Sequence, residues 1–134
     1  MYKSKNHGKF SLKAHLVFST KYRLKLFDNK CLTFELKAKM YEIAKNSNFN
    51  IELVETDRDH IHILIDYEPN VSIKQIVRKL KSETQYYMWL KFAPYLKSKY
   101  WTKNHKFWSK GYFVCSIGEG ASYDTIQKYI NNQG

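Results

Sequence analysis

The sequence predicts an α+β fold of the ferredoxin-like or RRM-like kind: an antiparallel sheet, two helices packed on it and a further helix at the C-terminus. Three observations carry this expectation. Stretches at Phe10 to Ser19, Asn50 to Glu55, His60 to Asp66 and Tyr112 to Ile117 read as strands, mostly by alternation or β-branched content. Two longer stretches carry an apolar residue every three or four positions behind a capping side chain, which reads as helix. The order strand, helix, strand, strand, helix, strand, helix is the split β-α-β arrangement with one helix appended.

The first strand puts Phe10, Leu12, Ala14, Leu16 and Phe18 on one face and Lys13, His15 and Val17 on the other. Lys21-Tyr22-Arg23 follows as a basic, aromatic exit, readable as a solvated loop or as a phosphate contact. Asp28 or Asn29 caps a helix running to about Asn46, with Leu32, Leu36, Met40 and Ile43 as its apolar stripe. In the next strand Ile51 and Leu53 alternate against Glu52 and Val54. Asp57-Arg58-Asp59 turns the chain into a hairpin with the strand that follows.

After Pro69-Asn70, Ser72 and Gln75 match a capping box. Ile73, Ile76, Val77, Leu80 and Thr84 then hold the helical period towards Met88. Arg78 and Lys79 lie on the basic flank of this helix, either as a solvated face or as a nucleic-acid contact. Phe92 to Lys106 reads as an irregular connection with a helical start, Gly118 to Ala121 as a turn, and Ser122 caps a helix through Gln133. No repeat or low-complexity linker divides residues 1–134, so one domain is expected.

The whole chain is 134 residues with 23 Lys and Arg against 12 Asp and Glu, a formal charge of +11. A chain so basic is expected to meet a polyanion, because phosphate contacts release counterions. Aromatic residues make up 16%, which favours single-stranded nucleic acid over a membrane surface, since unpaired bases stack on aromatic rings. Cys31 and Cys115 are isolated, so a reducing cytoplasm is the expected compartment. No apolar run of about eighteen residues is present to span a bilayer, and the basic N-terminus lacks a signal-type apolar core.

The chemistry centres on Asp59-His60-Ile61-His62-Ile63-Leu64-Ile65-Asp66. Strand alternation puts both histidines on one face and Ile61, Ile63 and Ile65 on the other. A packed apolar layer beneath would hold two imidazoles rigidly enough to share one divalent metal, although such a pair is also a common solvent-facing pattern. Asp66 shares that face but sits about 13 Å beyond His62 along the strand, too far to join it as a ligand. On the terminal helix Tyr129 and Gln133 are four apart and therefore neighbours, while Tyr123, Ile126 and Ile130 form the adjoining apolar stripe.

Together these residues resemble a family, the single-tyrosine HUH transposases of the TnpA type (insertion sequence 200/605 family). The matching pieces are Lys21-Tyr22-Arg23, Thr56 through Leu64, Trp108 through Val114, Gly118 and Tyr129-Ile130-Asn131-Asn132-Gln133, which together span nearly the whole chain. The resemblance implies Mg²⁺ or Mn²⁺ bound by His60, His62 and Gln133, with His15 supporting the site or structural. It implies Tyr129 as the nucleophile on a single-stranded DNA phosphodiester, leaving a 5′-phosphotyrosine and a free 3′-hydroxyl. It also implies a prokaryotic, DNA-associated homodimer that recognises hairpins at element ends and shares its sites between subunits. Lys21, Tyr22, Arg23, Arg78 and Lys79 are the candidate DNA contacts. Two other readings compete: a rolling-circle initiator or relaxase, normally a larger protein, and a non-catalytic RRM-like binder. The second would carry an aromatic, basic motif on its central strands, where this chain carries histidines.

Overall fold

The computed structural model describes residues 12–101 and 103–117. The expectations for Phe10, for the Gly118 to Ala121 turn and for the terminal helix with Tyr123, Tyr129 and Gln133 lie outside them. Four strands, β1 (Leu12–Ser19), β2 (Phe49–Thr56), β3 (His60–Tyr67) and β4 (Phe113–Ile117), form one antiparallel sheet in the order β2-β3-β1-β4. Helix α1 (Lys30–Lys45) connects β1 to β2, and α2 (Ile73–Lys99) leads from β3 towards β4. The histidine strand is therefore central, as the split β-α-β order requires.

Both helices cover one side of the sheet. Ala14, Leu16 and Phe18 of β1 and Ile61, Ile63 and Ile65 of β3 are fully buried there against Leu32, Leu36 and Met40 of α1 and Ile76, Leu80 and Met88 of α2. Each large aliphatic side chain buried in this way contributes about 1.5–3 kcal/mol relative to exposure. The helix starts follow local chemistry: the Asn29 side chain accepts from the Leu32 N–H at 3.1 Å, and the Ser72 hydroxyl accepts from the Gln75 N–H at 3.2 Å. Among the described residues no helix is long and apolar enough to cross a membrane.

Two expectations need correction. In β2 the strict alternation fails, because a bulge between Ile51 and Leu53 shifts the register. Val54 thereby enters the main core while Leu53 packs with Leu64 on the histidine face. The helical start expected for Phe92 to Lys106 is present but belongs to α2 itself, which the period towards Met88 left too short. Helix α2 continues through a kink at Phe92 (φ −123°, ψ 31°), two residues ahead of Pro94, and ends at Lys99. Proline breaks the hydrogen-bond ladder, but Leu96 and Tyr100, both buried, hold the last turn against the body of the fold.

Candidate active site

On the face of β3 turned away from the helices stand His60 and His62, 6% and 4% exposed, with ring centroids 4.9 Å apart. Each is braced by a different neighbour. The Nδ1 of His60 lies 2.7 Å from Asp59 Oδ1, and the Nδ1 of His62 lies 3.0 Å from Nε2 of His15, a fully buried residue of β1. His15 also stacks on His62, with centroids 5.2 Å apart and planes 14° from parallel, while Phe113 of β4 meets the His15 ring edge-on.

Asp59 is itself fixed by charge. Its carboxylate takes Arg23 Nε at 3.1 Å and Lys25 Nζ at 3.0 Å. Burial alone would raise its pKa, but hydrogen bonds from His60, Lys25 and Arg23 outweigh this and hold it well below the usual carboxylate range. Asp59 therefore stays ionised and accepts the Nδ1 proton of His60, which leaves the lone pair of His60 on Nε2. Among the described residues that buried atom has no hydrogen-bond partner, and a carboxylate oxygen, Asp57 Oδ2, lies 3.7 Å away. A buried unsatisfied nitrogen costs about 1–3 kcal/mol, which marks a place for a ligand.

His62 is held neutral. Burial first, and the charge of His60 second, lower its pKa to about 4, and burial with His62 lowers His15 to about 4. Neutral imidazoles are the form that ligates metal. A His62 donating its Nδ1 proton to His15 would keep its own Nε2 lone pair available. These donors thus suit a divalent cation: two rigid imidazoles, one with an orphaned nitrogen, each oriented through its second nitrogen. Among the described residues no group of three His, Cys, Asp or Glu is placed to complete such a centre. The third ligand expected from the sequence, Gln133, lies outside them, as does Tyr129.

The Lys21-Tyr22-Arg23 segment reaches the same place. Tyr22 (φ 63°) and Arg23 (φ 54°) both adopt the left-handed region, a conformation that costs roughly 1–3 kcal/mol per residue away from glycine. The surroundings enforce it. Lys21 N–H donates to the Phe107 carbonyl at 2.7 Å, Arg23 N–H to the Thr20 carbonyl at 3.0 Å, and the Thr20 hydroxyl to the Leu24 carbonyl at 2.7 Å. The turn delivers the Arg23 guanidinium to Asp59 and leaves Tyr22 exposed. Arg78 and Lys79 are not brought to this place. They are exposed on α2, which packs on the opposite side of the sheet, and Lys79 pairs with Glu83 at 3.2 Å.

Sequence reasoning placed Asp59 in the turn and gave it no part in holding His60. Adjacent strand residues face opposite sides, which would separate it from His60, but Asp59 precedes the first residue of β3 and its side chain folds back. Lys25 likewise carried no local signal, since its pairing spans 34 positions of sequence.

Comparison with known proteins supplies the family. Residues 8–133 match the family model described as transposase, IS200-like. The transposase for insertion sequence element IS200 of Salmonella typhimurium is 32% identical over 131 residues, covering 98% of this chain and 82% of that protein. The ISDra2 transposase TnpA of Deinococcus radiodurans is 29% identical over 124 residues, covering 92% and 85%. Among solved structures, a putative transposase from Deinococcus radiodurans R1 superposes with a TM-score of 0.73 at 28% identity, covering 99% of this chain and 98% of that one. A REP-associated tyrosine transposase bound to a REP hairpin shares the fold at a TM-score of 0.60 and 14% identity, covering 91% and 67%. With a family model spanning nearly its full length, the chain belongs to the IS200-like transposases.

Proposed function

We propose that this transposase cleaves and rejoins single-stranded DNA at the ends of an insertion sequence through a covalent tyrosyl intermediate. The observation that carries the reading is the braced imidazole pair, with His60 Nε2 buried and unpartnered beside a neutral His62. His60 and His62, with Gln133, would hold Mg²⁺ or Mn²⁺. Such an ion, when bound, supplies charge neutralisation at the scissile phosphate and stabilises the departing oxygen.

The chain's own groups do the rest. Tyr129 Oη attacks phosphorus and releases its proton to solvent; a Tyr129–phosphorus bond forms as the bond to the 3′-oxygen breaks. The 3′-oxygen leaves with the electron pair and takes up a proton, giving a free 3′-hydroxyl and a 5′-phosphotyrosine. One phosphodiester has replaced another, so a 3′-hydroxyl can reverse the step and rejoin strands without a nucleotide triphosphate. Asp59 and His15 keep the two imidazoles oriented, and Arg23 holds Asp59 ionised. The charge of +11 supplies the general attraction for DNA. Recognition of end hairpins fits the shared fold of the neighbour that was solved with a REP hairpin.

The test is a denaturing gel of the protein incubated with single-stranded DNA carrying a candidate end hairpin and Mg²⁺ or Mn²⁺. A covalent adduct is expected, lost with a chelator and with Tyr129→Phe and retained with Tyr123→Phe. An adduct that survives Tyr129→Phe would reject the nucleophile. The homodimer implied by the family resemblance would share its sites, so His62→Ala and Tyr129→Phe subunits are expected to rescue one another on mixing. Absence of rescue would argue for sites built within one subunit.

A further inference from the structure

Beyond the imidazole pair, the structure builds a second place where chemistry converges, at the end of α2. Trp89, Lys97, Tyr100, Trp101, Lys103 and His105 line a surface slot of about 320 Å³. Its walls are fixed. The Trp89 indole N–H donates to the Lys106 carbonyl at 2.8 Å, and its ring stacks on His105 with centroids 4.4 Å apart and planes 7° from parallel. The Tyr100 hydroxyl lies 3.2 Å from both the Lys21 and Phe107 carbonyls.

Against this rigid back wall stands Trp101, 94% exposed. A large apolar ring held out in water beside a preformed slot is an unfilled stacking surface. Among the described residues the slot is lined by two lysines and no acid, so its polar component selects an anion. Flat aromatic faces combined with positive charge match a nucleotide whose base is unpaired, because bases inside a duplex already have both faces stacked. The volume sits at the lower end of the ~300–1,000 Å³ of small-molecule sites, which suits one nucleotide rather than a duplex end. The slot also connects to the imidazole site. Tyr22 lies against Tyr100 with centroids 6.2 Å apart, and the next residue, Arg23, pairs with Asp59 beside His60.

We propose that this slot seats one unpaired nucleotide of the DNA single strand, its base stacked on Trp101 and its phosphates on Lys97 and Lys103. Exposed Tyr22, packed against the buried Tyr100, continues the track towards the imidazoles. The proposal rests on the single-strand reading above and adds a site that the reaction itself does not require.

Titrating the full-length protein with a short oligodeoxythymidine tests it through tryptophan emission. Trp89 and Trp108 are buried, so solvent-quenchable emission reports Trp101. The strand is expected to quench that emission. Trp101→Ala should weaken binding about tenfold and Trp101→Phe much less, as base stacking on an aromatic ring predicts. An abasic strand of equal length should bind the wild type about as weakly as oligodeoxythymidine binds Trp101→Ala. Full affinity in Trp101→Ala, or equal binding of the abasic strand, would overturn the slot. The wild-type covalent adduct separates the two ideas. An adduct with unchanged Trp101→Ala affinity removes the slot and keeps the transfer chemistry. No adduct with weakened Trp101→Ala binding does the reverse.

Discussion

The two faces of β3 are made by the same eight residues and held by different forces. Ile61, Ile63 and Ile65 sit against both helices and depend on close packing, where a lost methylene is felt as a cavity. His60 and His62, one position out of phase, are equally hidden from water but sit in a chain of specific polar partners: Arg23 and Lys25 to Asp59, Asp59 to His60, His15 to His62. The apolar face supplies rigidity without chemistry. The polar face uses that rigidity to keep one nitrogen unsatisfied, which packing alone would select against.

Substitutions on the two faces should therefore separate stability from activity. His60→Ala or His62→Ala should lower covalent adduct formation by roughly a thousandfold or more, because several kcal/mol of charge stabilisation are lost at the phosphate. Their unfolding transitions should move little by comparison. Ile63→Ala should do the opposite. Denaturant unfolding is expected to show a loss of about 2–5 kcal/mol, with adduct formation preserved under conditions where the variant is folded. Equal effects on stability and adduct for both classes would erase the distinction between the faces.

A finer test lies within the polar face. Asp59→Asn keeps the shape but weakens the hold on the His60 Nδ1 proton. Mn²⁺ affinity by titration calorimetry is expected to fall about 10–100-fold, as for other partners that orient a ligating imidazole. An unchanged affinity would reduce Asp59 to a structural counter-ion for Arg23 and Lys25.

Much of this was legible from residue order. Ser72, Asn29 and the Leu32-Leu36-Met40 stripe fixed both helix starts and the buried face of α1, because caps and period 3.6 are local signals. The alternation in His60 to Ile65 separated the packed face from the histidine face as the structure has them, since a central strand has no freedom to slip. What escaped was non-local or a local irregularity. The bulge at Ile51 and Leu53 depends on how β2 meets β3, and the continuation of α2 past Pro94 depends on Leu96 and Tyr100 finding partners far away. The bracing of His62 by His15 joins positions 47 apart, so no window along the chain reveals it, and His15 was placed near the site by the family resemblance alone. Trp101 and its slot escaped for the same reason: the aromatic residues of that stretch acquire meaning only when α2 brings Trp89 beneath them.

Where DNA becomes attached decides whether Tyr129 and the imidazole pair work as one site. Peptide mapping of the covalent adduct by mass spectrometry should find the nucleotide on the tryptic peptide that begins at Tyr129, with no such peptide from His60→Ala or His62→Ala protein. A nucleotide on any other residue, or an undiminished Tyr129 adduct in both histidine variants, would contradict it.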